Sequence, residues 1–168
     1  MAVILPYDRV SAAAYADYWA TRRNPDFYDF SQIGGDCTSF ASQCLLAGSG
    51  VMNYTPVTGW YYINANNRTP SWTGVQYLYR FLLTNTSAGP FASDTYLKNA
   101  EKGDIIQLMR NGIYYHSLVV SQTGDIPRVS NILVDAHSID SYRRPLSSYS
   151  FDGLRLLHIE GVYDSDLL

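Results

Sequence analysis

The sequence predicts an α+β fold, with helices in the N-terminal half packed on an antiparallel sheet drawn from the C-terminal half. Two segments before residue 50 repeat apolar residues at helical spacing between capping signals. From residue 103 the segments shorten, become rich in Ile, Val, Leu and Tyr, and are divided by turn signals. Helices first and short strands second is the order of an α+β domain, expected here as one domain over 1–168.

The first helix is read in "YDRVSAAAYADYWATRRNPDF", about 15 residues, with Asp8 or Ser11 as cap, Arg22 and Arg23 in the last turn and Pro25 beyond. The second is read in "GGDCTSFASQCLLAG". Asp36 stands at the capping position, Gly48 at the end, and Phe40, Ala41, Cys44 and Leu45 form a buried stripe that Cys37 joins at the first turn. A loop follows through "NYTPVTGWYYINANNRTPSWT", then a third helix from Ser71 to near Asn85. The strands are read in "GDIIQLM", "YYHSLVVSQ", "NILVDAH" and "LRLLHIEGV".

Composition narrows the function. With 46% apolar and 16% charged residues the chain reads as globular. A net charge of −3 with scattered cations speaks against nucleic acid, and no apolar run is long enough to span a membrane. The opening "MAVILPYDRV" does not read as a signal peptide, so location stays open: cytoplasmic, or a domain or mature form cut from a longer secreted or wall-associated chain. The 15 tyrosines suit half-buried positions and grooves for polar ligands. Cys37 and Cys44 are the only cysteines, and on one helix their Cα atoms would stand about 10 Å apart, too far for a disulfide.

A thiol at a helix's positive end, with histidines available, points to nucleophilic chemistry. His116 opens one strand and His137 closes the next, so an antiparallel pairing would bring them to one sheet edge, with Asp135 on the face of His137. Cys37 as nucleophile, His116 as base and His137 or Asp135 as the group orienting that base follow. Gln32 is a candidate second oxyanion donor, Asp36 a cap or site acid, and Trp60 and Trp72 candidate groove walls. Lone ligand types on separate elements are a weak pattern for zinc, so neither metal nor cofactor is expected.

The strings "YDRVSAAAYADYW", "NPDFYDF" and "GGDCTSFASQCLLAG", followed by "SWT", "GDII", "HSLVV" and "AHSID", resemble the putative amidase domain family of Gram-positive bacteria from about Tyr7 to Ile159. The resemblance implies a papain-like fold and a cysteine amidase or peptidase related to those acting on cell-wall peptidoglycan. It places the nucleophile on Cys37, the base on His116 and the histidine of its later block on His137. The chain departs from the pattern with Ser39 before Phe40, where Asn is usual, and with Asp135, where a small neutral residue is usual. The third position thus stays open between His137 by resemblance and Asp135 by chemistry. The expected partner is a peptide or peptidoglycan substrate met by a monomer. A glycopeptide-binding module or an acyltransferase on the same fold is the alternative.

Overall fold

The computed structural model describes residues 3–165; the ends of the 1–168 reading lie outside them. Helix α1 spans Arg9–Trp19, and Asp8 caps it by accepting from Ser11 N at 3.0 Å. It stops short of Arg22 and Arg23, which belong to the following turn rather than to the helix's last turn. Helix α2, Cys37–Ser49, runs through Gly48 and closes at Gly50, whose φ of 68° is the left-handed end that glycine allows. The expected third helix is two: α3, Pro70–Thr73, and α4, Val75–Thr84, divided at the extended Gly74.

The strands, in chain order, are β1 (Ile4–Leu5), β2 (Tyr62–Asn64), β3 (Asn67–Arg68), β4 (Gly89–Thr95), β5 (Ile105–Arg110), β6 (Ile113–Gln122), β7 (Leu133–Ala136), β8 (Ser141–Pro145) and β9 (Gly153–Tyr163). Seven form one antiparallel sheet in the order β1-β9-β5-β6-β7-β8, with β4 also paired to β9; β2 and β3 form a separate hairpin. The fold is therefore α+β with a predominantly antiparallel sheet. Sequence pattern missed β1, β2, β3, β4 and β8. β1, β2 and β3 are two or three residues long, and β4 and β8 carry Pro, Gly and charge that read as loop.

Each sheet face carries its own core. On one, α1, α2 and α4 bury Phe40, Cys44, Leu45 and Leu78 against Val119, Ile105 and Leu157. On the other, Ile106, Leu108, Leu118, Val120 and Val134 pack under loops holding Leu146 and Tyr149. The period of two in β6 decides the assignment: even-numbered residues from His116 to Val120 face the second core and odd ones face the helices.

Trp60 and Trp72 are fully buried in the helix-side core, their ring centroids 4.9 Å apart. Trp60 Nε1 donates to Ser42 Oγ, which donates to the Trp72 carbonyl, both at 3.0 Å. This pins the long loop onto α2 and corrects the expectation that the two tryptophans wall a groove. Burying a ring of this size is worth about 2–3 kcal/mol, and a loop poor in secondary structure depends on it.

Candidate active site

Cys37 owes its place to the turn before it. Gly34 (φ 81°) and Gly35 (φ 98°) both take the left-handed conformation, which L side chains adopt at a cost, and reverse the chain into α2. A Cβ on Gly35 would stand 3.3 Å from Ser138 Oγ, so the turn and the segment after β7 fit closely. Ser138 Oγ accepts from Asp36 N at 3.0 Å and locks them together.

Asp36 fills the capping position without capping. Its carboxylate turns back, accepting from Phe30 N at 2.9 Å and from His137 Nδ1 at 2.6 Å, with Arg23 Nε 3.7 Å away. His137 Nε2 donates to the Trp19 carbonyl at 2.8 Å, and its ring stacks on Phe40 with centroids 4.0 Å apart. Both ring nitrogens of His137 are thus engaged between α1 and the turn that carries Cys37.

This corrects the expected grouping of the histidines. Val119 pairs with Asp135, and that antiparallel register continued beyond the end of β7 would set Ser117, not His116, opposite His137. A one-residue offset puts the His116 and His137 side chains on opposite faces of the sheet, and His137 is not positioned to orient His116. Asp135 does share the face of His137, but its Oδ1 accepts from Arg143 N at 2.8 Å and its surroundings are Asp17 and Cys44. Burial, together with the neighbouring Asp17, pushes its carboxyl up to about 8.

His116 lies where β6 is bulged. Leu108 pairs with His116 and Met109 with Tyr114, leaving Tyr115 as the extra residue. His116 packs beside Tyr115 and Tyr149, and neither ring nitrogen has a hydrogen-bond partner among the described residues. Because β7 ends at Ala136, β6 has an open edge here, and Cys37 approaches it from the helix side. Val120 N donates toward β5, so the N–H of Ser117, an odd residue, points to the open edge, where it favours the thiolate of Cys37. Cys37 and His116 therefore line one cleft of about 570 Å³ although they belong to opposite faces, and Gly34, Gly35, Ser138 and Tyr149 line it too. Gln32 lies exposed on a short turn (Phe30–Gln32) outside that lining, because the glycine turn carries it away.

The thiol contacts Thr38 Oγ1 at 3.7 Å and makes no hydrogen bond to His116. Burial raises its pKa above the usual thiol range, against the pull of the Ser117 and Thr38 hydrogen bonds. Burial, helped by Arg144, pushes His116 down to about 4. Burial thus favours the neutral form of both groups. Cys44, wholly buried, is raised further and is a core residue; both cysteines are free thiols. No group of three or more His, Cys, Asp or Glu side chains placed to hold a metal ion occurs among the described residues.

A family model described as "Putative amidase domain" matches residues 6–159. The chain belongs to this putative amidase domain family. It is also 34% identical over 147 residues to the uncharacterized protein YhbB of Bacillus subtilis (strain 168), across 82% of this chain and 43% of that protein's length. The chain thus spans less than half of that relative. No solved structure matches it significantly. Membership of the amidase domain family supports amide hydrolysis in general terms. Sequence reasoning missed Ser117, Ser138, Arg110, Arg144 and Tyr149 around the cleft. For Arg144 no local signal existed: "SYRRP" reads as loop, and the β7–β8 pairing is irregular here, with Arg143 at a φ of 45°.

Proposed function

We propose that this chain is a cysteine-dependent amide hydrolase acting on peptides, with cell-wall peptidoglycan peptides as the substrate class. The observation that carries the reading is that Cys37, at the first turn of α2, lines the same open cleft as His116. The cleft's volume suits a small peptide segment. The one-domain, papain-like reading belongs to the same proposal.

The neutral pair defines the chemistry. His116, unprotonated at pH 7, is available as a general base; it takes the thiol proton as Sγ attacks the amide carbonyl. This hydrogen bond forms as substrate displaces the thiol from Thr38, since catalytic contacts commonly tighten only in the complex. The oxyanion is received by the N–H of Cys37, one of the amides without an intrahelical partner at the start of α2. The Ser117 N–H supports charge on the sulfur. His116 then protonates the leaving amine, and water clears the acyl-enzyme. His137 acts at one remove: through Asp36 it holds the turn that sets Cys37.

Cys37→Ala, or iodoacetamide treatment, should abolish release of products from purified peptidoglycan or a peptide panel followed by mass spectrometry, whereas Cys44→Ala should not. Undiminished activity in Cys37→Ala overturns the mechanism. The raised thiol pKa favours a second reading, a glycopeptide-binding module without catalysis. Turnover set beside binding separates the two: wild-type protein that binds the substrate peptide but releases no product supports the binding module.

A further inference from the structure

Two guanidinium groups, Arg110 and Arg144, line the Cys37 cleft, and no Asp or Glu among the described residues does. The chain carries a net charge of −3, and Arg9, Arg23 and Arg143 each meet an aspartate within 3.0 Å. Neither cleft cation meets a carboxylate at ion-pair distance among the described residues, which is also true of Arg22, Arg68, Arg80, Arg128 and Arg155, but those five do not line the cleft.

Both are held in place by one short segment. Arg144 Nε donates to Ser148 Oγ at 2.8 Å and Nη2 to the Ser148 carbonyl at 3.2 Å, while its guanidinium lies 3.7 Å over the Tyr149 ring. Arg110 Nη2 donates to the Ser150 carbonyl at 2.8 Å, and its guanidinium lies 5.0 Å from the Tyr115 ring. Nη1 of each has no partner among the described residues. The Tyr149 hydroxyl, buried under the same wall, is also unpartnered. Stacking and carbonyl bonds have already removed much of the side-chain entropy that anion capture would otherwise cost. Two like charges beside a partly enclosed cleft raise its potential, and the Arg144 charge reaches His116. A carboxylate matches the planar donors of a guanidinium in geometry as well as sign.

We infer that the cleft selects amides that carry a carboxylate beside the bond presented to Cys37, with Arg144 and Arg110 receiving that carboxylate. The inference takes its reacting bond from the proposed cysteine chemistry, but the charge preference stands on the two arginines alone.

Iodoacetate and iodoacetamide differ only in a carboxylate against a carboxamide, so their relative rates at Cys37, located by peptide mapping, read the field without any turnover. The double variant Arg110→Gln, Arg144→Gln should lower the iodoacetate-to-iodoacetamide rate ratio by about tenfold. An unchanged ratio overturns the inference. If Cys37 resists both reagents, that counts against the cysteine mechanism, and titration of ¹⁵N-labelled protein then decides the charge preference. N-acetylglycine should shift the amides of Gly34, Ser138 and Tyr149 and N-acetylglycinamide, which lacks the carboxylate, should not; equal responses overturn the preference.

Discussion

His137 Nδ1 donates to Asp36 Oδ2 over 2.6 Å, between side chains that are 2% and 1% exposed. The bond ties the end of β7 to the residue before Cys37, so the candidate nucleophile is positioned by a contact spanning the helical and sheet halves. His137→Ala should leave the Asp36 carboxylate buried without its 2.6 Å partner, with the Arg23 guanidinium 3.7 Å away. A loss of about 3 kcal/mol is expected in urea unfolding. In Asp36→Asn, His137→Ala the second substitution should cost less than it does alone, and strict additivity would show that the pair is not coupled.

The turn before α2 gives a graded test. Gly34 and Gly35 both have positive φ, but an added Cβ meets open space at Gly34 and Ser138 Oγ at 3.3 Å at Gly35. Gly34→Ala should cost about 1 kcal/mol from backbone strain. Gly35→Ala should cost more and should lower peptide hydrolysis further than its stability loss accounts for, since it pushes the Cys37 turn away from Ser138. Thermal melts and initial rates on both variants check the order.

His116 makes stability depend on pH in a defined direction. Its folded pKa, about 4, lies below the unfolded value near 6.5, so the unfolded chain binds more protons between those limits. The contribution is fully present above pH 6.5 and is lost as pH falls toward 4, by about 3 kcal/mol. His116→Gln should flatten that part of the curve. An NMR titration of the ring in the wild type showing a midpoint near 6.5 would contradict the burial argument.

Asp135 has the opposite dependence. Its folded pKa, about 8, lies above the unfolded value, so its contribution is present below about pH 4 and is lost as pH rises through 8. Its Oδ2 lacks a partner as an acceptor, while a protonated Oδ2 donates to Asp17. Asp135→Asn keeps an acceptor for Arg143 N and supplies a donor in place of that proton. The variant should gain on the order of 1 kcal/mol over wild type at pH 8.5, and less at pH 6, in chemical denaturation. A gain that does not grow with pH would remove the shared-proton account.

Much of the fold was legible because it rests on local chemistry. The Asp8 cap, the helical stripe around Phe40 and Cys44, and the apolar strand segments each encode an element within a dozen residues. The five missed strands are short or carry Pro, Gly and charge; β1 and β4 exist because β9 offers a backbone partner and β8 because β7 does, while β2 and β3 pair with each other.

Cys37 at the mouth of α2, its burial, and the inability of the two cysteines to pair were determined by the sequence, since all follow from position on one helix. Which groups surround it was decided by tertiary structure. A one-residue offset in the β6–β7 register sends His116 and His137 to opposite faces, gives Asp36 rather than His116 to His137, and leaves Asp135 beside Asp17. The end of β7 at Ala136 opens the edge where Cys37 and His116 meet, and the irregular β7–β8 pairing, with Arg143 at positive φ, leaves Arg144 in the same cleft. Register and strand ends are set by pairing between segments distant in the chain, and no local pattern encodes them.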